Sequence, residues 1–566
     1  MTSLAAQAPR ELSLDDEYEI WLSNNALTLE KLDQFDRDIS ELRILPWISI
    51  ITPAYNTDER WLRKAIVSVI RQIYPRWELC IADDASTDPK VREILAEHAS
   101  KDNRIKVKYL QRNEGIAGAS NAALASASGD FAGFLDHDDE LTPDACFEAV
   151  KVINENPEVD YIYSDEDKLD EYGRRLNVFF KPDWSPDTHL SMNYIPHFSV
   201  VRMSLLREVG GLRKGFDGSQ DYDFLLRVTE KARRIHHIRK PLYGWRMVTG
   251  SAAADPVAKP YSHDAGKRAI ADALRRRRIE AEVDDGRFPN SYRVRYKILG
   301  QPLVSIIIPT KDNIDLLSRC VESIRRISTY PNREVIIIDH QSNEEETHTY
   351  LRSLKDCRVF RFEGKFNFSR INNFGAEHAK GDHLVFLNND TEVISPDWIE
   401  AMLEHSQRPE IGAVGAKLIH PDGHLLHAGD IVGLGGVANH AFCGMPSESP
   451  GYFGLAQIVR NCSCVTAACM MVRRNVFEEL LGFDERLRIE YGDVDFGLRC
   501  GAKGYRVVYT PYAVLSHVEG GTRGVGKTNP PDGEEFTRRW RHLLRDGDPY
   551  YNPNLDRTRP FRIRIT

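Results

Sequence analysis

Apolar positions along the chain fall into two alternating patterns. Short continuous apolar runs are separated by longer stretches in which apolar residues recur at helical spacing. Trp47-Ile48-Ser49-Ile50-Ile51-Thr52-Pro53 is one such run, stopped by proline, and Val304-Ser305-Ile306-Ile307-Ile308-Pro309-Thr310 reads the same way. Each leads into a helix-like stretch, over 61–73 and 316–327. Second runs follow, Glu78-Leu79-Cys80-Ile81-Ala82 and Glu334-Val335-Ile336-Ile337-Ile338, and each meets acid at once: Asp83-Asp84 in one, Asp339 in the other. Third runs cover 105–110 and 358–362, alanine-containing helices 117–127 and 369–379, and fourth runs 131–135 and 383–387.

The two series are offset by 256 residues, which is a duplicated domain rather than a short solenoid period. Continuous apolar runs alternating with helices predict an α/β fold: a mostly parallel, Rossmann-like sheet with helices on both faces, built twice. Such sheets bind ligands beyond the C-terminal ends of their strands. The acids sit at those ends in both copies. A single Asp there is usually just the chain reaching solvent; matching positions in two copies argue for a shared task.

The reading divides the chain into a helical, charged extension over 1–45, a first domain over 46–255, a basic helix and connector over 256–301, a second domain over 302–525 and a polar, basic extension over 526–566. The first extension either packs on the first domain or serves as a partner surface.

Bulk composition removes several alternatives. The chain has 566 residues, 42% hydrophobic and 28% charged, an ordinary globular balance that disfavours disorder. The formal net charge of -9 argues against a general nucleic-acid binder. The run Arg275-Arg276-Arg277-Arg278 reads as a solvated helix face before it reads as a phosphate or membrane contact. No stretch approaches the ~20 apolar residues that span a bilayer, and residues 1–10 lack a signal-peptide pattern. The expected location is the cytoplasm, with association at the inner face of the membrane left open. Nine scattered cysteines do not form a disulfide framework. Cys462 and Cys464, with His420, His424, His427 and His440 upstream, raise a zinc site, but the spacing fits no standard finger.

Candidate chemistry gathers after the fourth strand. In the first copy it ends Phe134-Leu135-Asp136-His137-Asp138-Asp139. Carboxylates at Asp136 and Asp138 can converge on one hard cation, and Mg2+ or Mn2+ commonly bridges carboxylates to a substrate diphosphate. The second copy reads Leu387-Asn388-Asn389-Asp390-Thr391, where only Asp390 is charged. Downstream, Gly218-Ser219-Gln220-Asp221-Tyr222-Asp223 and Glu490-Tyr491-Gly492-Asp493-Val494-Asp495 each enter a helix. Asp at a helix start is often only a cap. The shared Asp-x-Asp-Phe, followed by an apolar-Leu-Arg helix, instead points to a carboxylate poised to take a hydroxyl proton. Further on, Trp245-Arg246 in the first copy and His517 in the second are candidates for holding a diphosphate or its metal.

One motif misleads. Gly521-Thr522-Arg523-Gly524-Val525-Gly526-Lys527-Thr528 matches a phosphate-binding loop, which must open a helix. Asn529-Pro530-Pro531-Asp532-Gly533 follows and is expected to block one, so an ATPase is rejected.

Together these residues resemble the inverting glycosyltransferase family 2, with its GT-A fold. The first copy carries the resemblance in Thr52-Pro53-Ala54-Tyr55-Asn56, Ala82-Asp83-Asp84-Ala85-Ser86-Thr87-Asp88, Asn113-Glu114-Gly115 and Leu135-Asp136-His137-Asp138-Asp139. The second carries it in Ile308-Pro309-Thr310, Ile338-Asp339-His340-Gln341-Ser342, Phe366-Asn367-Phe368-Ser369 and Leu387-Asn388-Asn389-Asp390. It covers about residues 46–255 and 302–525.

The resemblance implies a nucleotide-sugar donor, a glycan acceptor whose lipid linkage stays open, and a divalent ion, Mn2+ or Mg2+. Thr52, Pro53, Tyr55, Asp83, Asp84, Asn113, Pro309, Thr310, Asp339, Asn367 and Asn389 would hold the nucleotide. Asp136, Asp138 and Asp390 would hold metal and diphosphate, helped by His517, for which Arg246 would substitute in the first copy. Asp221 and Asp493 would be the catalytic bases. Gly429 to Ala441 and Thr466-Ala467-Ala468-Cys469-Met470 are similar to a rhamnosyltransferase-like branch, pointing to O-antigen or capsule assembly. The expected function is a bifunctional inverting glycosyltransferase; the alternative is one active domain plus a degenerate glycan-binding or scaffold domain. A sugar nucleotidyltransferase would need a glycine-rich loop after strand one, where this chain has Thr-Pro-Ala-Tyr-Asn.

Overall fold

The first apolar run is β1 (Ile48–Ala54), buried along its whole length, as a strand covered on both faces must be. It lies parallel between β2 (Trp77–Asp83) and β4 (Phe131–Phe134), with β3 (Ile105–Tyr109) parallel outside β2. Four further runs complete the sheet: β5 (Glu140–Leu141), β6 (Tyr161–Leu169), β8 (Val200–Arg202) and β9 (Ile235–Arg246), in the order β3-β2-β1-β4-β8-β6-β9-β5. A short β7 (Arg175–Phe179) pairs with β6. The computed structural model describes residues 12–248, 260–518 and 529–565.

The parallel half is the one the apolar runs predict. The other half is mixed: β8 runs antiparallel to both β4 and β6, whereas β9 is parallel to β6. The second domain repeats this order strand for strand, with Cys357–Arg361, Arg333–Asp339, Val304–Thr310, His383–Leu387, Cys469–Arg473, Ile411–Ile419, Arg506–His517 and Thr391–Val393 in sequence across its sheet. Two tandem α/β domains are therefore present.

Helices start where local chemistry satisfies their free N–H groups. Glu59–Ile70 is capped by the Asp58 side chain, and Leu14–Asn25 opens on a capping box between Ser13 and Asp16. The N-terminal extension is two helices, Leu14–Asn25 and Leu29–Glu41. The connector is the helix Pro260–Arg276 followed by an antiparallel hairpin, Ala281–Asp285 with Tyr292–Tyr296. Arg275 and Arg276 of the basic run pair with Asp272 and Glu230.

The expectation that Pro530 and Pro531 block a helix is wrong: Pro530–Asp546 is helical, with proline in its first turn. Proline lacks only an N–H that has no partner there anyway. Residues 521–526, most of the loop motif, and its Lys527 and Thr528 lie outside the described residues. Among the described residues, no helix is long and apolar enough to cross a membrane.

Both chain ends fold back onto the first domain. Tyr18 donates to Asp167 at 2.5 Å, and the fully buried Glu17 accepts from Arg559, Arg562 and the Ile563 backbone N–H. The two domains are locked by a buried ion cluster. Asp187, in the helix Pro186–Ser191, meets Arg408 at 2.6 Å, Asn461 Nδ2 at 2.8 Å and Arg506 at 3.2 Å. Tyr452 of the second domain accepts from Phe180 N–H and donates to Val178 O, while Phe453 stacks on Phe179 at 4.3 Å.

Burial pushes the Asp187 carboxyl up, but the Arg408 and Arg506 charges outweigh it and hold it well below 3.8. The stabilisation is thus fully present above the unfolded value of 3.8 and is lost as pH falls toward the folded one. Asp187→Ala leaves two buried guanidiniums without their carboxylate. It is expected to cost about 3–5 kcal/mol at neutral pH, read from the urea midpoint, with the deficit shrinking in acid.

Candidate active sites

The rim where β1 and β2 end is built by one device used twice. Asp83 Oδ1 accepts from Ser86 N–H at 3.0 Å, Ser86 Oγ accepts from Asn56 N–H at 3.0 Å, and Asn56 Oδ1 accepts from Thr87 N–H at 2.8 Å. In the second domain Asp339 accepts from Ser342 N–H at 2.9 Å, Ser342 Oγ from Asp312 N–H at 2.8 Å, and Asp312 Oδ1 from Asn343 N–H at 2.8 Å. Asn56 and Asp312 have φ of 47° and 52°, the left-handed region that Asn and Asp tolerate best among side-chain-bearing residues. Asp83 and Asp339 thus shape the floor of each site, and Asp83 Oδ2 is also engaged by Arg92. Asp84 takes the N–H groups of Glu114 and Gly115 and so anchors the helix Gly115–Leu124 beneath the cleft.

In the first domain that cleft is a cavity of about 800 Å³. Pro53, Tyr55, Asp84, Asn113, Asp136, Asp138, Asp221 and Arg246 all line it. Thr52 is buried just below, its hydroxyl without a hydrogen-bond partner. Asp221 sits in the first turn of Gln220–Lys231 and accepts from Asn193 Nδ2 at 3.1 Å. Burial raises its carboxyl, and the Asp136 charge pushes the same way. Asp139 is not on the cavity wall: it accepts from Tyr243 Oη at 2.5 Å and Arg246 N–H at 2.7 Å, and burial followed by the Asp138 and Asp136 charges raises it strongly.

Arg246 needs a correction. Its guanidinium is buried, bonded to Asp138 O, Asp170 O and Glu140, and stacked 4.2 Å over Trp61. Register also removes it from the place of His517. Thr391 pairs with His517, and one antiparallel step beyond Glu140↔Gly244 puts Trp245, not Arg246, at the matching position. Arg246 braces the Asp138–Glu140 turn.

In the second domain His517 Nε2 lies 3.1 Å from Asp390 Oδ1. That oxygen is buried without a geometrically sound hydrogen bond, and so is His517 Nδ1. Asn388 Nδ2 approaches His517 Nε2 at 3.4 Å. Asn389 donates to Thr310 Oγ1 at 3.1 Å, tying strand one to the turn, with Pro309 beside it on the same strand. Asn367 is occupied as the cap of Phe368–His378 and as a brace to Glu485 O. Asp493 accepts from Ala467 N–H and Val494 N–H, both at 2.9 Å, and burial followed by the Asp430 charge raises its carboxyl.

The two carboxylates of each Asp-x-Asp-Phe divide their work. Asp223 binds Arg227, which reaches Val209 O and Gly211 O; Asp495 binds Arg499, which reaches Leu480 O and Gly482 O. The second Asp of the pair is a structural anchor, which in the first domain leaves Asp221 on the cavity wall.

Sequence reasoning missed a group on the antiparallel side. His197 stacks on Tyr243 at 4.2 Å, pairs with Glu166 at 3.1 Å and lines the same cavity with Lys168, Asn193 and Trp245. These come from β6, β9 and the segment before β8, where no apolar run signalled a strand end. The zinc grouping holds only in part: His427 and His440 come together with Asp430, whereas His420 and His424 sit on an exposed turn with Asp422. Among the described residues, Cys462 and Cys464 join no group of three metal-type ligands.

The family model described as "Glycosyl transferase family 2" matches residues 49–210 and 305–481, more than half the chain. The chain belongs to glycosyl transferase family 2. It is 43% identical, over 90% of its length and 58% of the other's, to the uncharacterized protein y4gI of Sinorhizobium fredii. It is 41% identical, over 97% of its length and 43% of the other's, to the O-antigen biosynthesis protein RfbC of Myxococcus xanthus. The chain thus spans about half the length of these curated relatives. Among solved structures it is similar to S. aureus TarS 1-349 in complex with UDP-GlcNAc, at 22% identity and a TM-score of 0.34 over 40% of this chain and 66% of that one.

A carboxylate acting as base must be ionised, so a raised value moves the acid limb of activity upward. The limb of kcat/KM for the first site is expected above the ordinary 3.8. Asn193→Ala removes a donor to the ionised form and should raise the limb further.

Proposed function

We propose that the chain transfers sugars from nucleotide-sugar donors to a growing bacterial glycan, with inversion, at two centres, one per domain. The observation that carries this reading is that Asp138 and Asp221 line one cavity, together with the end of strand one. A separation of these groups onto different surfaces would have ended it. The relative named for O-antigen biosynthesis supports a polysaccharide product.

The residues present fit a divalent ion. Asp136 and Asp138 offer carboxylate oxygens on the cavity wall, and in the second domain Asp390 Oδ1, lacking a hydrogen bond, faces a ring nitrogen. Oxygen donors favour Mn2+ or Mg2+. When bound, such an ion neutralises the diphosphate leaving group. The rest falls to the chain. Asp221 takes the proton of the acceptor hydroxyl as its oxygen attacks the anomeric carbon from the face opposite the nucleotide. The bond from that carbon to the diphosphate oxygen breaks, and the configuration inverts. Asn193 orients the Asp221 carboxylate. Trp245, Phe288 and Phe453 give the cavity an aromatic wall suited to the apolar faces of sugar rings. Asp493 takes the same part in the second domain.

A second reading is favoured by one observation. Asn388 stands where Asp136 stands in the first copy, leaving a single metal carboxylate, so the second domain is the one that would serve as a glycan-binding scaffold.

The test is a panel of nucleotide sugars with Mn2+, assayed on the full chain by nucleotide release and product linkage. Asp221→Asn should lower kcat for one linkage by about 10²–10⁴ with donor KM little changed. Asp493→Asn should do the same to a second linkage, and the double variant should lose both. If Asp493→Asn changes no linkage, the scaffold reading replaces the bifunctional one. If both linkages persist in the double variant, the bases are misassigned.

A further inference from the structure

Beside the second site, a loop outside the Asp390–Asp493 machinery gathers three side chains of metal-ligand type. His427, Asp430 and His440 present ligand atoms that all lie within 4.8 Å of one another. The backbone brings them together. Leu425–His427 is followed at once by Asp430–Val432, which pairs antiparallel with Ala438–His440 so that Asp430 stands directly opposite His440. Gly429, between the first two ligands, has φ of 86°, and a Cβ there would lie 2.6 Å from Cys462 Sγ. Only glycine makes this turn, and the turn is what aims His427 and Asp430 at one point.

Backbone partners fix the protonation of His427. Its Nδ1 lies 2.8 Å from Ala416 O, which can only accept, so Nδ1 carries the hydrogen. Its Nε2 is therefore the acceptor nitrogen, and its single lone pair takes two long hydrogen bonds, from Gly429 N–H at 3.2 Å and Thr466 N–H at 3.3 Å, which an ion would displace. That lone pair lies 3.6 Å from Asp430 Oδ1. Both residues are buried, His427 completely and Asp430 to 4% exposure. Asp430 Oδ1 is held by the His440 Nδ1 hydrogen bond, and a cation entering at this point would take the place of that proton between the imidazole and the carboxylate. A ring N–H held by a backbone carbonyl while the other nitrogen faces a carboxylate is how a metal-ligating histidine is oriented.

We propose that His427 Nε2, Asp430 Oδ1 and His440 Nδ1 bind a first-row transition ion of the zinc class, at a site distinct from Asp390 and His517. Two imidazoles and one carboxylate suit zinc over magnesium, which prefers oxygen ligands alone. Tetrahedral bonds of ~2.0–2.1 Å set ligand atoms about 3.3 Å apart. The His427–Asp430 separation of 3.6 Å already fits. His440 Nδ1 lies 2.5 Å from Asp430 Oδ1 and would have to move out by under about 1 Å; His440 is the partly exposed member of the three. Its Nδ1 proton leaves to solvent as the ion enters. The fourth position is water.

The site borders the second centre through one strand segment. Thr466 N–H reaches His427 and the next residue, Ala467, donates to Asp493. An ion on Nε2 would release the Thr466 N–H and screen the Asp430 charge that acts on Asp493, so binding is felt at the neighbouring carboxylate.

The test uses the full chain, stripped with chelator and titrated with Co2+ as a spectroscopic probe. It is run in wild type and in Asp390→Asn, the latter to remove the other ion site. Both should show a visible band of nitrogen-ligated cobalt that Zn2+ abolishes. His440→Gln should weaken that binding at least about tenfold, with far-UV circular dichroism unchanged. As a second measurement, Zn2+ should raise the thermal midpoint of wild type and not of His440→Gln. Absence of the band in wild type, or equal cobalt affinity in His440→Gln, would show a hydrogen-bonded histidine–aspartate pair and no metal site. Neither readout involves sugar transfer, so this proposal and the transferase reading fail separately.

Discussion

Like-charge crowding at the rim of the first sheet is the constraint around which the site is arranged. Asp136, Asp138, Asp139 and Asp221 approach one cavity from two chain segments. Two unit charges about 5 Å apart at an effective dielectric near 20 repel by ~3 kcal/mol, and several such pairs act at once. The fold opposes this with a buried guanidinium and a phenol. Arg246, clamped against Glu140 and Trp61, and Tyr243, bonded to Asp139, hold the turn closed. Asp139 absorbs the strain, its carboxyl raised by burial and by its neighbours' charges, while Asp136 and Asp138 remain on the cavity wall.

The duplicated parallel half was legible because it is local. Each strand, helix and acidic rim follows within a few tens of residues, and the runs at Ile48 and Val304 carry their burial in composition alone. The antiparallel half was not. β6, β8 and β9 pair across long separations, and their polar, alternating residues resemble loop. His197, Glu166 and Lys168 were invisible for that reason. Arg246 was misplaced because its role is fixed by a register, Glu140↔Gly244, that no spacing in the chain reveals. The helix at Pro530 shows the opposite error, a rule about helix interiors applied to a first turn.

Comparing the two copies separates scaffold from chemistry. The Ser86 and Ser342 loop locks, and the Arg227 and Arg499 anchors, are the same atoms making the same bonds. Cleft positions differ: Asp136 against Asn388, Trp245 against His517, Asp84 against His340. Each of these changes charge or ring chemistry at the rim.

The domains are nevertheless not interchangeable parts. Phe453 of the second domain stacks on Phe179 and lines the first cavity, and Phe288 of the connector packs against Gly454 so closely that a Cβ there would meet its ring at 2.3 Å. The buried Asp187 cluster and the Tyr452 hydrogen bonds hold that wall in register. A first domain cut free would keep its carboxylates and its strand ends but lose the aromatic side of its cleft. It would also expose Asp187 and the Phe179–Phe180 strip to water. The sequence invites a reading as two beads on a connector; the packing makes the second bead part of the first one's cavity wall.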